Sequence, residues 1–182
     1  MRALEKVRLL RGLSKEYETD LNAQVIYIAT AQSLDKEMSA RIKQHQALRP
    51  KHWTLVESPT DLGKAIEQLV LKHTCEHEKP ITILVDCLTL WLSNCLCITD
   101  GNCRQYEKQS FLNVLAGFTH TSNVHLVLVS NEVGHGIVPL GELSRHFVDQ
   151  AGWLHQDIAA IANNVDFIMA GIALSLKSNP ME

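Results

Sequence analysis

The sequence predicts a doubly wound α/β domain built on a mostly parallel sheet. Three observations carry this. Its short apolar runs are mostly continuous rather than alternating, which is how a strand reads when both faces are buried. Segments with helical spacing separate the runs, so strands and helices alternate as βαβ units. The 182 residues, 46% hydrophobic and 20% charged, are enough for one domain with a sizeable core.

The strand runs are residues 25–29 (VIYIA), 81–85 (ITILV), 124–129 (VHLVLV) and 165–170 (VDFIMA), with a weaker edge strand at 53–56. Residues 33–48 predict a helix capped by Ser33, with Asp35 and Glu37 favouring the positive end of its dipole. Ser58-Pro59-Thr60-Asp61 joins a cap residue, a proline at the first helical position and an acid three residues on. That pattern predicts a helix running to about His73. Residues 105–118 and 141–163 are further helical stretches, the second expected to break near Ala151-Gly152. No repeat, low-complexity segment or linker interrupts the chain, so a single domain over residues 1–182 is expected.

Composition narrows the function. The net charge of −3 and the lack of a lysine/arginine run argue against a nucleic-acid-binding face, which needs clustered positive charge. No apolar stretch approaches the roughly 18 residues of a membrane span. The opening MRALEKVRLLRG is charged throughout and does not read as a signal peptide. Five cysteines, with Cys87 inside an apolar run, suit a reducing cytoplasm better than a disulfide framework.

In open parallel sheets, ligands bind beyond the carboxyl ends of the strands. Here those ends run into Thr30-Ala31-Gln32, into Asp86, and into Ser130-Asn131-Glu132-Val133-Gly134. An acid in such a place either holds Mg²⁺ at a nucleotide site or caps the next helix, and Asp86 and Glu132 are open to both readings. His45 and Arg49 stand four apart and share a helix face. They form either a phosphorus-attacking imidazole with a phosphate-holding guanidinium, or a solvated surface. His73 to His77 and the trio Cys95, Cys97 and Cys103 lack structural-zinc spacing. The two glycines of residues 131–139 (NEVGHGIVP) suit a close backbone approach or a tight loop, but are no dinucleotide fingerprint.

Taken together, five segments resemble the bifunctional adenosylcobinamide kinase / adenosylcobinamide-phosphate guanylyltransferase family of cobalamin biosynthesis. They are IATAQSLDKEMSARIKQHQALRPKHW (28–53), LVDCLTLWLSN (84–94), LVSNEVGHGIVP (128–139), SRHFVDQAG (144–152) and AGIALSLK (170–177). The resemblance runs in order from about Gly12 to Lys177. It implies a P-loop NTPase-like fold, phosphorylation of adenosylcobinamide by GTP or ATP, and GMP transfer from GTP through a guanylylated histidine. It also implies Mg²⁺, a homotrimer and a cytoplasmic location. By position in the motif, His45 is the nucleophile. Nucleotide contacts fall on Thr30, Ala31, Gln32, Gln46, Ala47, Leu48, Arg49, Glu57 and Asp86, with Asp86 also the metal ligand. Departures from the family pattern are Leu48 in place of a common glycine, Gln46 in place of a lysine, and His155 in place of an asparagine.

The largest departure is at the start. The family resembles P-loop enzymes in having a strand leading into GGARSGKS, whose backbone N–H groups would cradle phosphate. Here Gly12 is the only early glycine and no GK[ST] occurs. One codon choice for Met1 to Val7, read from its third base, encodes Ala-Arg-Ser-Gly-Lys-Ser. Residues 1–11 are therefore expected to be out-of-frame sequence. Loss of the first strand predicts an unpaired slot in the sheet and a poorly stable, weakly active chain. The alternative to an enzyme is an impaired nucleotide- or corrinoid-binding subunit that assembles with intact copies. An unrelated α/β kinase is a third reading, disfavoured by the continuous motif match.

Overall fold

A computed structural model of the chain describes residues 23–76, 79–98, 101–118 and 123–178, with side chains of 74–76 and 101–104 left aside. The segment expected to be out of frame, and Gly12, lie outside the described residues. Four strands form one parallel sheet: β1 (Gln24–Ala29), β2 (Thr54–Glu57), β3 (Ile81–Asp86) and β4 (Val124–Val129). Their order is β2-β1-β3-β4, so β2 is an edge strand as expected. The register aligns Ala29 with Glu57 and with Asp86, and Asp86 with Val129. All four carboxyl ends therefore finish at one level.

The expected unpaired slot is not found among these strands. β3 pairs with β1 on one side and with β4 on the other, each over six residue pairs. Backbone groups of β3 are thereby satisfied on both edges, which is why it can be buried along nearly its whole length.

Alternation along the strands builds two cores. Ile26, Ile28, Ile81, Ile83, Val85 and Val124 face one side. There they meet α2 (Leu62–Glu76), α3 (Leu88–Leu96), α4 (Gly101–Gly117) and α5 (Glu142–Ile161). Each helix presents an apolar stripe at helical spacing: Leu62, Ile66 and Leu69; Leu88, Trp91, Leu92 and Cys95; Phe111 and Leu115; Ala151, Leu154 and Ile158. Trp91 and Phe111, both wholly buried, stack tilted with ring centroids 5.1 Å apart. Val25, Tyr27, Leu84 and Val129 face the other side, with Trp53 and Cys87. Over that face, toward the carboxyl ends, lies α1 (Lys36–Leu48), which has no buried residue.

Several expectations need correction. The α1 cap is Asp35, whose carboxylate accepts the Met38 N–H at 2.7 Å; Ser33 lies before it. A charged acceptor at the helix's positive end outcompetes a hydroxyl. Ser58 and Pro59 precede α2 without opening it, and the buried Ser58 hydroxyl finds no hydrogen-bond partner among the described residues. α5 passes unbroken through Ala151-Gly152, because Ala151 sits in the core and packing overrides a weak local preference. The run at 165–170 is a strand but does not join the parallel sheet: β5 (Asn164–Met169) pairs antiparallel with β6 (Ile172–Ser178) in a separate two-stranded sheet. The connecting Ala170 and Gly171 both take positive φ, 51° and 79°, as a two-residue hairpin turn demands.

Candidate functional site

Beyond the carboxyl ends of the sheet, between its second face and α1, lies a cavity of about 700 Å³. That is the size range of a small-molecule site. Its floor is apolar, from Leu55, Leu90 and Val129, with Leu34, Met38 and Ile42 from the α1 side. Charged groups converge at one side of it.

The register explains the convergence. Asp86 ends β3 on the same face as Leu84, so its carboxylate rises into the cavity beside Tyr27 of the neighbouring strand. The Tyr27 hydroxyl donates to Asp86 Oδ2 at 2.5 Å. His45, in the last turn of α1, brings its Nδ1 to 3.6 Å from the same oxygen. The Arg49 guanidinium, one turn on, lies over the Tyr27 ring at 5.0 Å from its centroid, a cation–π arrangement. With side-chain exposures of 30% for His45 and 11% for Asp86, the pair is shielded yet reachable.

The predicted residues divide. His45, Gln46, Arg49, Ala31, Gln32, Glu57 and Asp86 all line the cavity. Thr30 is buried and does not. Its hydroxyl accepts the Cys87 N–H at 2.9 Å and donates to the Cys87 carbonyl at 2.8 Å, stitching β1 to the segment after β3. Asn94 reinforces that stitch by donating to the carbonyls of Thr30 and Pro59 at 2.8 and 3.0 Å. Ala47 and Leu48 point to solvent outside the cavity lining. Cys87 packs beneath the site; burial pushes its thiol up, against the lowering pull of hydrogen bonds such as that to Thr89.

Sequence reasoning missed Tyr27, and named Asn131 only within the strand end Ser130 to Gly134, without a role of its own. Tyr27 is the one side chain with a polar tip in an otherwise apolar run, which was the available signal. Asn131 lines the cavity and donates to Thr89 Oγ1 at 2.9 Å, following directly on the strand end already singled out. Among the described residues no group of three or more His, Cys, Asp or Glu side chains gathers as a metal-binding cluster.

A parallel-sheet α/β fold with its pocket at the strands' carboxyl ends, and a histidine–carboxylate pair inside it, defines a class of ligand-binding and group-transferring proteins. The sequence comparisons narrow the class. Residues 12–176 match the family described as cobinamide kinase / cobinamide phosphate guanyltransferase, and the chain belongs to that enzyme family. It is 42% identical over 169 residues to the bifunctional adenosylcobalamin biosynthesis protein CobP of Pseudomonas aeruginosa, covering 93% of this chain and 91% of that protein. It is 35% identical to the bifunctional adenosylcobalamin biosynthesis protein CobU of Escherichia coli, over 86% of this chain and 87% of that one. The CobU of Salmonella typhimurium is 36% identical over 85% of this chain and 86% of its own length. No helix among the described residues is long and apolar enough to cross a membrane.

Proposed function

We propose that this chain transfers GMP from GTP to adenosylcobinamide phosphate through a guanylylated His45. The observation that carries the reading is the contact of His45 Nδ1 with Asp86 inside the cavity, 3.6 Å apart. With Nδ1 turned to the carboxylate, Nε2 is the nitrogen assigned to attack the α-phosphorus of GTP. The P–N bond forms as the bond to pyrophosphate breaks, and Asp86 stabilises the positive charge that develops on the ring. The phosphate of adenosylcobinamide phosphate then attacks the same phosphorus and releases His45. Arg49 offers two parallel N–H donors to the phosphate oxygens, and Gln32, Gln46 and Glu57 supply polar contacts for the nucleotide.

Mg²⁺ fits one position here. Asp86 Oδ2 is engaged by Tyr27 and faces His45, which leaves Oδ1 as a hard oxygen donor. A single carboxylate suffices when nucleotide phosphates and water provide the remaining ligands. Bound there, the ion would neutralise phosphate charge.

The family's other step is phosphorylation of adenosylcobinamide by GTP or ATP. A specific observation favours a second reading for that step: the 182 residues contain no G-x-x-x-x-G-K-[ST]. On that reading the chain is an impaired nucleotide- or corrinoid-binding subunit that works with intact copies. We place the protein in the cytoplasm as a homotrimer. The thiols of Cys87 and Cys97, neither of them in a disulfide, support the first assignment. Exposed Ile137, Leu140, Leu143 and Ile172, between 70% and 98% accessible, support the second.

Incubation with GTP labelled at the α-phosphate tests the transferase. An acid-labile, alkali-stable adduct that discharges on adding adenosylcobinamide phosphate is the expected result. GTP binding without any adduct would reject it in favour of the impaired subunit.

A further inference from the structure

We propose that Ser130, His155 and Glu132 form a second reactive centre, in which Ser130 is a base-activated nucleophile toward small activated carboxylic esters. None of the three lines the cavity described above. Ser130 follows the last residue of β4, Glu132 lies two residues on, and His155 projects from α5.

The geometry has the order nucleophile, base, orienting acid. His155 Nε2 lies 2.6 Å from Ser130 Oγ. Its Nδ1 lies 3.4 Å from Glu132 Oε2. The other carboxylate oxygen, Oε1, accepts the Gly134 N–H at 2.6 Å, which fixes the acid on its loop. A serine within hydrogen-bond reach of a histidine, itself oriented by a carboxylate on its opposite nitrogen, is the arrangement that raises a hydroxyl's nucleophilicity. Burial pushes the Glu132 carboxyl up, but the Gly134 N–H and the nearby His155 and His135 outweigh it and hold it below the usual range. The acid is therefore ionised at neutral pH and holds the ring with Nε2 toward the serine. Side-chain exposures of 23% for His155 and 31% for Glu132 leave the group open to a small reagent.

The step balances without a cofactor. Ser130 Oγ attacks the ester carbonyl carbon while its proton passes to His155 Nε2. The bond to the leaving alcohol breaks, and the alcohol departs with that proton. Water, deprotonated by the same nitrogen, then cleaves the acyl-serine, releasing the acid and restoring Ser130. Activated esters suit this centre because their leaving group departs with little help from proton transfer.

The test uses the full chain, with diisopropyl fluorophosphate as the covalent probe and p-nitrophenyl acetate as the ester. Peptide mapping should place the organophosphoryl adduct on Ser130, and Ser130→Ala should abolish it. His155→Asn keeps hydrogen-bonding capacity but cannot act as the base. It should slow both adduct formation and p-nitrophenol release by about 10²-fold or more. Circular dichroism reports whether each variant is folded; should His155→Asn unfold, Glu132→Gln carries the comparison, with an expected loss of about tenfold. A folded wild-type chain without adduct at Ser130 would overturn the proposal. So would labelling that proceeds equally fast in the folded His155 or Glu132 variant.

Discussion

The phenol of Tyr27 ties together three of the site's polar side chains. Its hydroxyl donates to Asp86 at 2.5 Å, its ring underlies Arg49, and Asp86 in turn faces His45. A hydrogen bond to a charged group is worth about 1.5–3 kcal/mol. Tyr27→Phe keeps the ring and removes the donor, so formation of the GMP adduct should slow by about ten- to a hundredfold while GTP affinity holds. A fall in affinity with an unchanged rate would assign Tyr27 to nucleotide binding instead. In VIYIA the polar tip is the one local signal of this role, since the partner stands 59 residues away and a strand tyrosine otherwise reads as core. Asp86 and His45 stand in local patterns, an acid directly after an apolar strand and a histidine four residues before an arginine, that leave a functional and a plain structural reading open. The family resemblance, not the spacing, singles out His45. Glu132 carries a pH prediction with a definite sign. Its folded carboxyl sits below its ordinary value of 4.5, so its stabilising contribution is complete above that value and is lost as pH falls through the folded pKa. Melting curves of the wild type and Glu132→Gln should therefore differ at pH 6 and converge in strong acid.

At the scale of elements, two glycines with opposite surroundings test the packing. A Cβ added to Gly63 in α2 would stand 2.8 Å from the Phe111 backbone nitrogen and 2.9 Å from the Ser110 carbonyl carbon in α4. Backbone cannot yield as a side chain can, so Gly63→Ala should destabilise by about 1–3 kcal/mol as the two helices are forced apart. At Gly152 in α5 the same Cβ meets nothing within 4 Å. Gly152→Ala should stabilise by about 0.5–1 kcal/mol, since alanine loses less backbone freedom in a helix. Urea denaturation of both variants checks the pair, and equal signs would contradict the helix contacts described. Element by element, the parallel strands were legible because burial on both faces leaves no room for polar residues. α3 was not, since LTLWL shows no polar alternation when nearly all of it is buried. The β5-β6 hairpin was hidden because Ala170-Gly171 lacks the usual Asn-Gly or Asp-Gly signal of its turn.

Across the whole molecule, the sheet and the exposed apolar surface proposed for assembly matter most. β4 pairs directly with β3, so the four described strands form a continuous sheet despite the absence of a phosphate-loop motif. Family membership and the parallel sheet could be read from motif order and strand composition, whereas strand neighbours separated by long crossovers could not. Leu140 and Ile172, 98% and 72% exposed, are the wrong chemistry for water and the right chemistry for a self-interface. Sedimentation should give a mass near three times 20.4 kDa, and Leu140→Asp with Ile172→Asp should shift it toward one. A monomeric wild type would reject the trimer. The central claim is that His45 carries the guanylyl group, and the most direct measurement is peptide mapping after reaction with α-labelled GTP. The predicted result is one phosphoramidate, on His45, that vanishes in His45→Ala while GTP still binds. An adduct on another residue, or one that survives His45→Ala, would contradict it.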